Sequence, residues 1–510
     1  MSLMGVDIGT TGVKAVVFDE RGGQLARAYE EYHLLFPSPG ANELDPRLVM
    51  DAALRVIERA AGEAGDGDPV AAIGIASQGE AFTPIASDGR MIGNTMIYSD
   101  SRCAPLVEPW SDAFGAEKLY RITGHIPYSM YSLYKFLWLK EHEPEVWETA
   151  WKFLFFEDLL AFVLTGGTKT DYSMAARSMM FDVTKKEWSP EILDALGMDH
   201  HRLPEVVPSG GIVGSVKPDI AGKLRLRPGV TVSVCGHDQP VGALGCGAAS
   251  PGRASYSIGT VECVCVAADR LIMSTDLMRA NLVIYPHVVP DTYTTQGFNM
   301  TGGSVLKWVR DNFAVEEAHE ARRVGEDPYD RIIAAASTEP ADVILLPHFG
   351  PTGTPHLDSL GAGVLFGLKL STTRAEVIRA VLEGITYEIK WNLSILSEAG
   401  FALDELRAVG GGAKSETWMQ IKADILGIPL TTMRVTEATC MGAALLAGHG
   451  AGMLDVRTTS WAEPIKTFEP RAEYASMYEE RFAIYQEIYK SLGRAREMLS
   501  QLFPPSAGSR

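Results

Sequence analysis

Residues 3–32 read LMGVDIGTTGVKAVVFDERGGQLARAYEEY, and this stretch decides the fold. Leu3–Ile8 is apolar, Gly9-Thr10-Thr11-Gly12 is a turn, and Val13–Asp19 is apolar again. Glu20-Arg21-Gly22-Gly23 is a second turn and Gln24–Tyr32 a third run. Three runs joined by two tight glycine turns predict an antiparallel meander. Outward from it, a helix is expected from about Pro46. Asp45 is a suitable N-cap, and Leu48, Val49, Ala52, Ala53 and Val56 recur at helical spacing. Ala71–Ser77 returns as a buried strand, and Asp88-Gly89 turns toward another near Met96–Tyr98. Ser257-Ile258-Gly259-Thr260 repeats Asp7-Ile8-Gly9-Thr10 at a distance of 250 positions, close to half the chain. Each Ile-Gly-Thr ends one apolar strand and precedes another, which suggests a duplicated unit.

The intervening chain supports an α/β reading. Residues 131–200 are mostly helical in pattern and rich in Trp, Phe and Leu, which suits a core. Thr231–Cys235 is a short buried strand, and His237–Gly247 a helix of small residues. Arg374–Asn392, Glu416–Leu426 and Met441–Gly448 read as helices, and Pro504–Arg510 as a polar tail. The 510 residues imply two to four domains, which the repeat narrows to two, 1–249 and 250–510.

Composition excludes several classes. The net charge is −18, from 46 basic and 64 acidic residues, and a sequence-independent grip on nucleic acid needs the opposite sign. The same charge argues against anionic membranes, and no apolar run approaches the roughly 20 residues that span a bilayer. Asp7 interrupts the first apolar run, so no secretory signal is expected. The six cysteines form no C-x-x-C pair, consistent with reduced thiols and a cytoplasmic location. A homodimer is compatible with the sequence.

Several constellations carry chemistry. The turn Gly9-Thr10-Thr11 exposes N–H groups and hydroxyls, a concavity that takes an anion without lysine; an ordinary hairpin has the same sequence. Asp7 beside it suits a Mg²⁺ bridging carboxylate and phosphate, and Lys14 lies just beyond. Gly259-Thr260 forms a second such nest. Gly410-Gly411-Gly412 follows a strand and precedes a helix, either a simple connection or a floor for a flat base. Asp238, after a buried strand, is either a helix N-cap or the acceptor of a hydroxyl proton in phosphoryl transfer. Gln78-Gly79-Glu80 and Asp100 sit at strand ends, where amides and carboxylates meet polyhydroxylated ligands.

These segments together resemble the FGGY carbohydrate kinases. The resemblance runs over nearly the whole chain, from Val6-Asp7-Ile8-Gly9-Thr10-Thr11 through Ser99-Asp100-Ser101-Arg102, Gly236-His237-Asp238-Gln239 and Ser257-Ile258-Gly259-Thr260 to Val409-Gly410-Gly411-Gly412 and Met441-Gly442-Ala443-Ala444. It implies two ribonuclease-H-like domains of the actin and hexokinase type with a cleft between them. The first would bind sugar and carry a phosphate loop, and the second would bind nucleotide. It implies transfer of the γ-phosphate of ATP to a sugar, with Asp238 as general base and Asp7 toward Mg²⁺. Gly9, Thr10, Thr11, Lys14, Gly259, Thr260 and Gly303 would line the phosphates, and Gly411, Gly412 and Ser415 the nucleoside. Gln78, Gly79, Glu80, Asp100 and Asp238 would meet the sugar.

Length and layout are similar to xylulokinases. Yet Gln78-Gly79-Glu80-Ala81 stands where those carry Gln-Met-His-Gly. Glycerol kinases carry Gln-Arg-Glu-Thr there, so Gly79 replaces an arginine. Without that arginine the pocket suits a neutral acceptor, D-xylulose first, then L-xylulose, ribulose, erythritol or glycerol, with gluconate disfavoured. A non-catalytic sugar sensor on the same fold would need neither Asp238 nor Asp7.

Overall fold

The computed structural model of the protein describes residues 1–65, 67–435 and 437–502; the polar tail expected over 504–510 lies outside them. The first half is built on β1 (Ser2–Ile8), β2 (Gly12–Phe18), β3 (Gln24–Glu31), α1 (Pro46–Ala64), β4 (Val70–Ser77), β5 (Gly211–Ser215), β6 (Thr231–His237) and α2 (Asp238–Gly245). Its strands form one sheet in the order β5-β6-β4-β1-β2-β3. The meander β1-β2-β3 is antiparallel, and β4 and β6 add to β1 in parallel. The Asp45 carboxylate accepts the Arg47 N–H and Pro46 opens α1, as the sequence predicts.

The second half repeats the plan with β7 (Gly252–Ile258), β8 (Glu262–Ala268), β9 (Val283–Pro286), β10 (Tyr293–Asn299), α3 (Gly302–Asn312), α4 (Arg374–Glu398), β11 (Leu403–Val409), α5 (Glu416–Leu426), β12 (Leu430–Met433), α6 (Ala438–Gly450) and β13 (Pro464–Phe468). The order is β9-β10-β8-β7-β11-β12-β13. Again the first strand pairs antiparallel with the second and parallel with a later one. Both sheets therefore have the ribonuclease-H-like order, and the expected actin- and hexokinase-like α/β fold is the one observed. The strand expected near Met96–Tyr98 shrinks to Thr95–Met96, paired with Glu43–Leu44. Residues 131–200 hold helices interrupted by short strands, because the chain there wraps an aromatic core. Phe82 stacks on Phe136 at 3.8 Å within it. Each fully buried ring of this kind contributes about 1.5–3 kcal/mol.

Alternation along β1 decides what faces the cleft. Met4, Val6 and Ile8 point into the core under α1, and Leu3, Gly5 and Asp7 point the other way. On that second face lies α6, which arrives from the far half of the chain. It sits so close that a Cβ on Gly5 would run into the Cys440 carbonyl, and one on Gly74 into that of Ala443. Those two glycines let a helix of the second half lie directly on the first sheet. Among the described residues no helix is long and apolar enough to cross a membrane.

Candidate active site

The first turn is braced from below. The Gly9 N–H donates to the Gly12 carbonyl at 3.0 Å, and the Gly9 carbonyl accepts the Tyr32 hydroxyl. Thr10 Oγ1 donates to Gln78 Oε1 at 3.0 Å, so the turn and the end of β4 are one unit. Thr11 is exposed at the tip. Asp7 and Lys14 are direct cross-strand partners, so their side chains share one face. Burial pushes the Asp7 carboxyl up to about 6; Lys14 opposes the shift and Glu437 adds to it. Its Oδ1 atom is buried without a hydrogen-bond partner.

Glu437 is a residue the sequence did not single out. Its nearly buried carboxylate pairs with Lys14 at 3.0 Å and with Arg27 at 2.5 Å. It immediately precedes α6, so the second half anchors the lysine beside the first turn. Burial lowers the affinity of Lys14 for its proton, but the bond to Glu437 outweighs it and the pKa rises.

Asp238 is the first residue of α2, and His237, not Asp238, occupies the N-cap position. Burial pushes the Asp238 carboxyl up to about 7, with Asp7 and Glu80 adding to the shift and Gln239 and Arg177 opposing it. His237 Nε2 lies 3.2 Å from Asp238 Oδ1 but is misaligned, and that oxygen is unpartnered. Burial, and then the charge of Arg177, hold His237 neutral, and its Nδ1 meets the Tyr285 hydroxyl at 3.1 Å. The strand end that carries Asp238 is fixed by Glu157, which accepts the Cys235 and Gly236 N–H groups at 3.2 and 2.7 Å.

Gln78, Gly79 and Glu80 are all buried. Glu80 has φ of 63°, a left-handed conformation rare for this residue type. Its carbonyl accepts Ser132 at 2.9 Å and Lys135 at 3.1 Å, which hold that geometry. Its carboxylate is paired with Arg177. Tyr98, half exposed, has its pKa raised by burial and then by the charges of Glu80 and Asp238. Asp100 departs from expectation. Its side chain has no exposure and is consumed by Arg102 at 2.7 Å and by the Asn42 N–H at 2.9 Å. Arg102 also pairs with Glu43 at 2.5 Å, so Asp100 ties a loop together instead of offering a free carboxylate. Gly79 likewise contributes space, not a contact.

The second turn opens onto a cavity of about 450 Å³. Gly259, Thr260, Gly303, Gly411, Gly412 and Ser415 all line it, so residues expected to meet phosphates and nucleoside are brought together. Gly259 and Thr260 carbonyls accept the Gly303 and Ser304 N–H groups at 2.9 and 3.2 Å, which docks α3 on the turn. The three glycines differ in kind. Gly410 has φ of 98°, a Cβ on Gly412 would strike Ile258, and Gly411 faces open space. Ser415 is the N-cap of α5, its Oγ accepting the Trp418 N–H at 3.3 Å. Lys307, Lys414 and Tyr329 also line the cavity and were not read from the sequence. No periodic pattern marks such isolated residues.

The FGGY family of carbohydrate kinases supplies two matching domain models, its N-terminal domain over residues 2–245 and its C-terminal domain over 254–451. The xylulose kinase of Bacillus subtilis is 28% identical over 494 residues, 96% of each chain. The glycerol kinase of Methylibium petroleiphilum is 31% identical over 468 residues, 88% of this chain and 91% of that one. Two structures from Lactobacillus acidophilus, of a ligand-bound xylulose kinase and a gluconate kinase, each match with a TM-score of 0.90 at 26% identity. They cover 98% of this chain and 100% and 99% of theirs.

Proposed function

Because the chain belongs to the FGGY family of carbohydrate kinases and so transfers phosphate from ATP to a small-molecule sugar, we propose that its acceptor is D-xylulose and its product D-xylulose 5-phosphate. The observation that carries the chemistry is Asp238. It is buried, its Oδ1 has no hydrogen-bond partner, and its affinity for a proton sits near neutrality. A carboxylate so placed takes the proton from an attacking hydroxyl as its oxygen bonds the γ-phosphorus and the bond from that phosphorus to the bridging oxygen of the leaving ADP breaks. Gln78 and Glu80 orient the acceptor hydroxyls, and Gln78 links that task to the first turn through Thr10.

The donor set also fits Mg²⁺. Asp7 presents a buried, unpartnered oxygen beside the first glycine turn, and among the described residues no basic side chain is bonded to it. Mg²⁺ bound there with ATP supplies positive charge at the transferring phosphoryl group. Gly9, Thr10, Thr11 and Lys14 hold phosphates from the first half; Gly259, Thr260 and Gly303 hold them from the second. Gly411, Gly412 and Ser415 border the nucleoside. Residues 1–249 thus form the sugar and phosphate-loop half and 250–510 the nucleotide half, in a cytoplasmic enzyme with reduced thiols.

The xylulose kinases among the relatives, and acids at Asp7, Glu80 and Asp238 that disfavour an anionic acceptor, support a ketose. Glu80 after Gln78 and the glycerol kinase relative support glycerol or another polyol as the second reading. A sensor is disfavoured because it would have no use for the free oxygens of Asp7 and Asp238. A coupled ADP-release screen over D-xylulose, L-xylulose, D-ribulose, erythritol, glycerol and D-gluconate tests the acceptor. D-Xylulose is expected to give the highest kcat/KM; a higher value for any other compound replaces it.

A further inference from the structure

Gly79 reads in sequence as a missing arginine, yet a guanidinium is present at the same place. A Cβ on Gly79 would lie 3.4 Å from Arg177 Nε and 3.0 Å from the His237 ring. Arg177 ends the helix Tyr172–Arg177, 97 residues downstream of Glu80, and its Nε reaches Glu80 Oε1 at 2.5 Å. Its Nη2 pairs with the same carboxylate. The guanidinium carbon lies 5.1 Å from the centre of the Tyr131 ring and 5.8 Å from that of Tyr285, and the side chain is only 5% exposed. A Cβ at position 79 would press on the His237 ring and touch Arg177, so the glycine leaves the His237 ring uncrowded beside an arginine that comes from elsewhere in the chain.

We infer that Arg177 is a positioning and specificity residue of the acceptor pocket, a built-in anion site that Glu80 occupies from within. The inference rests on the sugar-kinase reading above and deepens it to a substrate class. While Glu80 holds Nε and Nη2 of Arg177, the edge of the guanidinium that would grip a substrate carboxylate with two prongs is taken. The carboxylates left without a cationic partner, Asp238 and Asp7, repel one. The pocket accepts neutral ketoses and polyols for this reason and rejects aldonates. Guanidinium and carboxylate match in a two-pronged geometry, so an aldonate carboxylate fits the site Glu80 would vacate.

Removing the internal carboxylate should therefore invert the preference. In titration calorimetry of the full-length protein, Glu80→Gln is expected to bind D-gluconate at least about tenfold more tightly than the unmodified chain. Glu80→Gln/Arg177→Gln is expected to fall back to within about twofold of the unmodified chain. Glu80→Gln leaves a buried charge unpaired and can weaken the fold. D-Gluconate should then raise its melting temperature and leave that of the double variant unmoved. Arg177→Gln should raise KM for the neutral acceptor about tenfold with KM for ATP within twofold, and Arg177→Lys should recover part of that loss. No gain of gluconate binding or thermal shift in Glu80→Gln, or a gain that survives in the double variant, overturns the inference. The gluconate readings need no turnover. An unmodified enzyme that phosphorylated no neutral acceptor would end the substrate reading and leave the Arg177 test intact.

Discussion

The two glycine turns have the same place in the same sheet and opposite chemistry. In the first, four residues separate the paired Ile8 and Val13; in the second, three separate Ile258 and Glu262. Asp7 faces Lys14 across the first hairpin, and at the matching place Ser257 faces Cys263 across the second. One turn carries a charged pair held by Glu437; the other carries a small neutral pair, and its Gly259 and Thr260 border a cavity lined by glycine, Tyr329 and Trp418. The duplicated fold thus fixes the place of each turn, while substitution of two side chains gives the first its charge and leaves the second neutral.

Breaking the charged pair should cost most. Asp7→Asn is expected to lower kcat at least 100-fold, whereas Ser257→Ala should change it less than threefold, as measured by ADP release at saturating substrates. Equal losses would erase the asymmetry. The pH dependence comes next. The Asp238 pKa is raised to about 7, so the proton acceptor is protonated and idle below that pH. The acid limb of kcat/KM should fall about tenfold per pH unit below roughly 7. A profile flat down to pH 5 would show that Asp238 is not the titrating base. Lys14→Met should raise KM for ATP about tenfold, the scale of one charged hydrogen bond, and Cys263→Ala less than twofold. Smallest is the packing beneath the second turn. A Cβ on Gly303 presses on the Gly259 carbonyl, so Gly303→Ala should raise KM for ATP a few-fold with kcat unchanged.

The sequence was informative where neighbours along the chain decide the outcome. The meander over residues 3–32, the Asp45 cap and the repeat at Ile258-Gly259-Thr260 each depend on local pattern, and the structure has them all. Asp238 stood out because a buried strand ends just before it. Other parts depend on pairings across the fold. Arg177 meets Glu80 from 97 residues away, and Glu437 meets Lys14 from the far end of the chain. Neither lies in a periodic run or a glycine turn, so nothing local marks it. The pairing at Asp100 is another that the residue's own position does not reveal: a carboxylate at a strand end reads as ligand recognition. Its neighbour Arg102 two residues on absorbs it. Gly79 reads in the sequence as a missing arginine, and the structure sets Arg177 beside it.

The account turns on one carboxylate. Asp238→Asn keeps the shape of the side chain and removes its ability to take a proton. With D-xylulose and Mg-ATP at saturation, ADP release should fall about 10²–10⁴-fold while calorimetric binding of the sugar stays within a few-fold of the unmodified enzyme. Turnover by Asp238→Asn at the unmodified rate would contradict the assignment of Asp238 as the group that accepts the hydroxyl proton.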